Sequence, residues 1–348
     1  MFFGSHVNKH KSAGWLGSLA GSLTEVMSHG GNVAQVFVSS PIGKMSAASY
    51  KELVKQGPDI KAYLQKHAMK LFIHSSYTLN FSKDPKAEAP YWIDAMVKEM
   101  EIAHAIGAEG CVLHLGKAVS LTQQAAEDNM FCNVCTLLDR VAAMNGVKLF
   151  LETSSGQGSE ILPTVHNDMS ALAAFFARFP KKYHSKLSFC VDTCHIFAAG
   201  YDISTKKQAA TFMKEWDEKI GLHHLGVVHF NNSVHEVGCR KDRHACIAHG
   251  KIPVEGLVEF GMLAMKRGIP VILETPDGPK EIFVLKEMAK HGEVTPDVLR
   301  TIKSSQMVRI PDFSDVSDVS DFSDVSESTE FTDKTPKQKI KVVIKKPT

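Results

Sequence analysis

KLSFCVDT, residues 186–193, is a short apolar run that stops on an acid, Asp192. A run of this length without polar alternation reads as a strand buried on both faces, as in a parallel sheet. An ionisable residue at the end of such a strand is costly to bury unless something compensates it. Working outward along the chain, the same arrangement recurs five times: LFIHSS with His74, CVLHLG with His114, LFLETS with Glu152, VVHFNN with His229 and VILETP with Glu274. The gaps between successive polar residues are 40, 38, 40, 37 and 45. A strand, a helix and two turns occupy about that length, so each interval is a βα unit.

The predicted strands are FFGSHV (2–7), AQVFV (34–38), LFIHS (71–75), GCVLHLG (110–116), VKLFLET (147–153), KLSFCVDT (186–193), LGVVHFN (225–231) and IPVILET (269–275). Eight is the number a closed (β/α)8 barrel requires, and helical patterns over 91–106, 122–144 and 169–179 lie between them. The fold class is α/β, a TIM barrel over residues 1–300, followed by a tail over 301–348. In such a barrel the carboxyl ends of the strands form the active-site face, so the ladder predicts a mouth lined with metal-ligand types.

Length and charge agree with this. A barrel of roughly 250 residues plus a tail fits 348 residues better than two domains do. The net charge is +2, but from Asp312 onward there are eight acids and six lysines, which leaves +4 for residues 1–311. That weak basic bias permits a nucleic-acid partner without requiring one. The tail runs FSD-VSD-VSD-FSD-VSE-STE-FTD, with an acid at every third position from 312 to 333, and then turns basic in KTPKQKIKVVIKKPT. Period three suits neither an amphipathic helix nor a strand, so a disordered acidic-then-basic tail with an unknown partner is expected. Seven cysteines in no framework-like spacing suit a reducing compartment. No stretch approaches the roughly 18–20 apolar residues of a membrane span, and a soluble intracellular protein is expected.

Three more ligand types follow the ladder closely. His195 lies three residues after Asp192, and Asp242 and His244 form D-R-H after the seventh strand. Residues two apart in an extended segment project to one side, so both can reach a single ion. A lone His at a strand end is most often a hydrogen-bonded core residue. Six strand ends with the same residue types call for a common cause, and metal ions are the direct compensation for buried carboxylates. Mixed imidazole and carboxylate donors suit Zn²⁺ or Mn²⁺ at an open catalytic site. Nine donors exceed one tetrahedral ion. They imply two or three ions with a bridging carboxylate, an apparatus suited to phosphodiester attack.

The stretch Phe189-Cys-Val-Asp-Thr-Cys-His-Ile-Phe-Ala-Ala-Gly-Tyr-Asp-Ile203 closely resembles the strand-six signature of the endonuclease IV family, TIM-barrel apurinic/apyrimidinic endonucleases with three zinc ions. The resemblance extends to Gly4-Ser-His-Val7, His74-Ser-Ser-Tyr77, Leu151-Glu-Thr-Ser-Ser-Gly-Gln-Gly-Ser159, His229-Phe-Asn-Asn232, Gly238-Cys-Arg-Lys-Asp-Arg-His244 and Leu273-Glu-Thr-Pro276, spanning roughly residues 1–295. It implies that His74 and His114 hold one zinc, bridged by Glu152 to a second that Asp192, His229 and Glu274 complete. His195, Asp242 and His244 would hold the third. Glu152 and Glu274 are the carboxylates expected to act in catalysis. The implied reaction hydrolyses the phosphodiester 5′ to an abasic sugar, leaving a 3′-hydroxyl and a 5′-deoxyribose phosphate, with possible repair of blocked 3′ ends. The implied partner is double-stranded DNA, acted on by a monomer.

The resemblance also places Tyr77 at a DNA-contacting tyrosine. Ile42 stands where the family usually carries an inserted arginine, with Lys44 nearby. Arg240 and Arg243, together with Lys117, Lys241 and Lys251, fall in predicted mouth loops and are candidate phosphate contacts. Cys132 and Cys135 lie in a helical pattern and are read as core thiols, and Cys194 as packing. Two other readings compete: a metal-dependent sugar isomerase or epimerase on a related barrel, and a non-catalytic DNA-binding scaffold. The sugar enzyme leaves His195, Asp242 and His244 surplus. The scaffold predicts a degraded donor set, and none of the nine is missing.

Overall fold

A computed structural model of the chain describes residues 1–8, 14–86, 90–163, 168–291, 295–297 and 300. The expected tail over 301–348 lies outside the described residues. Eight strands close into a parallel barrel: β1 (Phe3–His6), β2 (Val33–Phe37), β3 (Lys70–His74), β4 (Gly110–His114), β5 (Lys148–Glu152), β6 (Leu187–Asp192), β7 (Leu225–His229) and β10 (Val271–Leu273), with β10 lying between β7 and β1. Two short strands after β7, β8 (Asn232–Ser233) and β9 (His244–Ala245), pair antiparallel in the loop above the mouth. All eight expected strands are present; β2 and β3 keep the expected length but begin one residue earlier, and the other six are shorter than their sequence spans. The ladders stop at or just before the polar strand-end residue, where the chain leaves the sheet for its loop.

The helices α1 (Gly14–Ser28), α2 (Ala47–Lys66), α3 (Tyr91–Ile106), α4 (Gln123–Arg140), α5 (Ser170–Ala177), α6 (Thr193–Ala199), α7 (Lys206–Lys219), α8 (Val254–Lys266) and α9 (Ile282–His291) accompany the strands. The pattern expected over 91–106 is α3, stopped by Gly107 at φ 73°, a left-handed conformation that glycine adopts without strain. The pattern over 122–144 gives a shorter helix. Thr122 caps α4 by accepting from Ala125 N, and the helix ends at Arg140. The third pattern likewise loses its ends, Met169 becoming the cap of α5. The buried face of α4 carries Ala126, Met130, Val134, Leu137 and Leu138. Cys132 is two residues, about 200°, round from Met130 and is exposed, and Cys135 is half-buried. Cys132 is therefore not a core thiol, whereas Cys135 packs against the edge of the core.

The barrel interior holds one compact apolar layer of Val33, Phe72, Val112, Phe150, Cys190, Val227 and Ile272. Fully burying a side chain the size of Phe72 or Phe150 stabilises the fold by roughly 1.5–3 kcal/mol. Their rings meet at 5.3 Å in the middle of the barrel. Each residue of this layer sits two positions before a mouth residue. In a strand, residues two apart share a face, so this layer is the dry floor of the site. Among the described residues no helix is long and apolar enough to cross a membrane.

Candidate metal centre

Adding two to each floor position gives Gln35, His74, His114, Glu152, Asp192, His229 and Glu274. On β1 the counterpart is His6, two residues after Gly4, and it pairs in register with Gln35. The polar layer therefore runs round all eight strands, and sequence reading found six of its members. His6 and Gln35 were missed. Their signal was the same period of two, obscured because glutamine is not a usual metal ligand and because the ladder of spacings begins at β3.

Glu152 sits at the centre of the layer. Its Oε2 lies 3.2 Å from His114 Nε2 and 3.5 Å from His74 Nε2, while its Oε1 meets His229 Nδ1 at 2.7 Å. His229 Nδ1 is also 3.1 Å from Glu274 Oε2 and 3.9 Å from Asp192 Oδ2. A third group adjoins these: His195 Nε2 is 3.1 Å from Asp242 Oδ2, and His244 Nε2 is 3.2 Å from Asp242 Oδ1 and 3.4 Å from Asp192 Oδ2. Three sets, His74–His114–Glu152, Glu152–Asp192–His229–Glu274 and Asp192–His195–His244, each have donor atoms within 4.8 Å of one another. All nine expected ligand residues converge on the mouth. Cys190 and Cys194 come within the same reach, but burial pushes their thiols up to about 12 and about 11.

Local structure fixes this convergence. Asp192 caps α6, its Oδ1 accepting from Cys194 N (2.7 Å) and His195 N (3.0 Å), which turns His195 back over the barrel. Its Oδ2 accepts from Asn231 Nδ2 at 2.7 Å, and Asn231 Oδ1 in turn accepts from Glu274 N at 2.8 Å. The loop after β5 is organised by Glu160, whose Oε2 accepts from Ser154, Ser155 and the Gln157 amide. Gln157 Oε1 then accepts from Asp242 N at 2.9 Å and holds that carboxylate over the site. The Asp192 cap and the Glu160 contacts are local, whereas the links from Asn231 and Gln157 join distant loops and carry no local signature in the sequence.

Charge and donor chemistry fit bound cations. Burial pushes Glu152, Asp242 and Glu274 toward protonation, but the surrounding imidazoles outweigh it and hold all three well below the usual carboxylate range. Burial likewise opposes protonation of His195, His229 and His244, yet neighbouring acidic groups hold them well above the ordinary value. Glu152 Oε2, His195 Nε2 and His244 Nε2 are buried and aimed into the cluster without hydrogen-bond geometry to any partner. Atoms placed in this way are satisfied by an ion between them.

The expected DNA contacts stand round the rim. Tyr77 is 56% exposed, and its ring lies edge-on to His74 (5.2 Å) and His114 (5.4 Å). Ile42 is 72% exposed, and the loop that carries it is tied to Tyr77 through Tyr77 N→Pro41 O at 2.8 Å. Lys44 lies over the Tyr91 ring at 4.6 Å. Arg240 and Arg243 are exposed in the loop between β8 and β9, with Arg243 Nη1 donating to Asp242 O. Lys117 and Lys251 are paired with Glu160 and Glu236.

This barrel and its polar mouth define a xylose isomerase-like TIM barrel, and the chain matches the family of that description over residues 23–300. Within it the chain belongs to the endonuclease IV family and is a hydrolase of the endonuclease type. It is 33% identical over 254 residues to a protein of Acanthamoeba polyphaga mimivirus described as an endonuclease 4, covering 71% of this chain and 78% of that one. It superposes on endonuclease IV of Thermus thermophilus with a TM-score of 0.64 and 26% identity, covering 84% of this chain and 100% of the other. A D-tagatose 3-epimerase-like protein shares the fold at a TM-score of 0.59 and 18% identity, over 84% of this chain and 98% of the other.

Proposed function

We propose that the chain is a zinc-dependent apurinic/apyrimidinic endonuclease of base excision repair, cutting double-stranded DNA 5′ to an abasic site and cleaning blocked 3′ ends with the same centre. The observation that carries this reading is the sharing of Glu152 and Asp192 between adjoining donor sets, which suits a cluster of ions rather than one. His74, His114 and Glu152 would hold the first ion. Glu152, Asp192, His229 and Glu274 would hold the second, and His195, Asp242 and His244 the third, with Mn²⁺ able to substitute for zinc. Clustered divalent ions, when bound, supply an activated water and neutralise charge on the phosphate and the leaving oxygen.

In the reaction the water oxygen bonds to phosphorus and the bond from phosphorus to the 3′ oxygen breaks. The water's proton passes to a base at the mouth, and the leaving oxygen ends as a 3′-hydroxyl opposite a 5′-deoxyribose phosphate. Glu152 and Glu274 are the catalytic carboxylates. Glu152 is sealed in the mouth at 1% exposure, whereas Glu274 keeps 12% and faces the incoming substrate. Tyr77, Lys44, Arg240 and Arg243 face the duplex. Cations at the rim position phosphates, and Ile42 adds an apolar contact where a base stack is opened. The chain acts as a monomer in a reducing intracellular compartment, in keeping with seven unpaired cysteines.

The competing sugar-epimerase reading has the shared fold in its favour. It leaves His195, Asp242 and His244 without a task. The deciding experiment is incision of a labelled duplex bearing one abasic analogue, by protein stripped of metal and then restored with zinc. Zinc-restored cleavage 5′ to the lesion is expected. A folded, zinc-loaded protein that leaves the strand whole overturns the proposal.

A further inference from the structure

The mouth imidazoles are held in two different ways. Three turn Nδ1 outward onto a backbone carbonyl: His74 on Ser75 O (2.8 Å), His195 on Thr153 O (2.8 Å) and His244 on Glu274 O (3.2 Å). A carbonyl only accepts, so each ring carries a proton on Nδ1 and presents Nε2 to the carboxylates. His114 has no such anchor among the described residues. His229 is reversed: Nδ1 points into the cluster, while Nε2 meets a side chain, Gln35 Oε1, at 2.9 Å.

Gln35 is fully buried midway along β2, and its orientation follows from its other contacts. The other end of its amide lies 2.6 Å from Glu274 Oε1 and 3.0 Å from His6 Nδ1. Only the NH₂ group can face a carboxylate oxygen so closely without repulsion. The amide oxygen must then face His229, whose Nε2 has to carry the proton it donates. A bound ion would displace the proton that Nδ1 otherwise shares with Glu152 Oε1 at 2.7 Å, leaving Nδ1 as the donor atom of the neutral ring.

From this geometry we infer that Gln35 is the positioning residue of the Glu152–Asp192–His229–Glu274 site. It fixes His229 as the Nε2–H form, so that Nδ1 is the metal-binding atom. By holding Glu274 Oε1, it also leaves Oε2 to the ion. The task needs an acceptor and a donor on one planar group, which neither a carboxylate nor an apolar side chain offers. Because His229 is anchored by a side chain where the other three are anchored by backbone, its anchor can be removed by substitution. The inference rests on the metal-centre reading above but not on the identity of the substrate.

The test uses the full chain and counts metal as well as activity. Gln35→Met keeps approximate volume and removes the contacts to His229, Glu274 and His6. Outer partners of metal ligands typically contribute 10–100-fold in affinity or activity, so one ion is expected to weaken by about that factor while the others bind as before. Metal per chain by elemental analysis and the absorption bands of a cobalt(II) titration read this directly. In the zinc-loaded native chain, long-range ¹H–¹⁵N spectra of labelled histidines, with His229 assigned through its absence in His229→Gln, should show Nε2 protonated and Nδ1 bound. Native-like metal binding by Gln35→Met, or coordination of His229 through Nε2, overturns the inference. If Gln35→Met does not fold, the spectrum of the native chain decides alone. Loss of one ion in a protein that never cuts abasic DNA would sink the substrate reading and leave this one standing.

Discussion

Glu274 and Glu281 are seven residues apart and both are largely buried, yet their carboxyls are shifted in opposite directions. Glu274, with Glu152 and Asp242, is held well below the ordinary carboxylate range, because imidazoles on several strands outweigh the burial that pushes it up. Glu281 and Glu99, behind the mouth, are pushed by burial up to about 7. Glu99 accepts from Ser39 Oγ at 3.0 Å and Glu281 from Ile247 N at 2.8 Å, and one oxygen of each has no hydrogen-bond partner. Neutral donors soften the desolvation of a carboxylate, whereas opposite charges reverse it. Ionised carboxylates in a dry barrel therefore mark a place built for cations, and half-neutral ones mark structure.

The strongest way to break this contrast is to neutralise a mouth carboxylate. Glu274→Gln keeps the shape and removes the charge that faces His229. Incision of abasic DNA is expected to fall by orders of magnitude while the fold and binding of an abasic duplex persist, as monitored by circular dichroism and a gel-shift assay. Near-normal turnover would remove Glu274 from the catalytic set.

The same substitution at Glu99 should act in the opposite sense, on stability alone. A carboxyl whose folded pKa is raised contributes its full stability below the unfolded value of 4.5 and loses it as pH rises through about 7. The difference corresponds to about 3 kcal/mol. Gln resembles the protonated acid, so Glu99→Gln should match the native chain at pH 4.5 and exceed it at pH 8 by up to that amount. Urea melts of both proteins at the two pH values measure this, and taking the difference at each pH cancels changes in metal loading. A variant no more stable than the native chain at pH 8 would show that Glu99 is ionised and compensated, placing it with the mouth group.

The barrel was legible because both of its periods are local: two along each strand and about forty between strands. The six mouth residues on β3 to β7 and after β10 stood out because each ends an apolar run with a metal-ligand type. His6 and Gln35 obey the same alternation, but a glutamine acts here only through its partners, and those are 194 and 239 residues away. The support from Gln157 to Asp242 was hidden for the same reason, since loop-to-loop hydrogen bonds leave no spacing to read. Cys132 of α4 failed differently. A helical pattern gives the period, but the phase of the buried face depends on what packs against it.

Glu281 offers the most discriminating test. It shares the raised pKa of Glu99, but it also accepts from the Ile247 amide, close to the β9 strand that carries His244. That backbone donor favours the ionised form and is already reflected in the value near 7, so neutralisation should bring a comparable gain. Gln keeps an oxygen for the amide, so Glu281→Gln should stabilise the chain at pH 8 in the same direction as Glu99→Gln and by a comparable amount, and leave metal content unchanged. A loss of stability at both pH values would mean that the geometry around Ile247, rather than charge, is what Glu281 maintains. A loss of metal without a loss of stability would tie Glu281 to the placement of His244 and move the edge of the metal centre one layer outward.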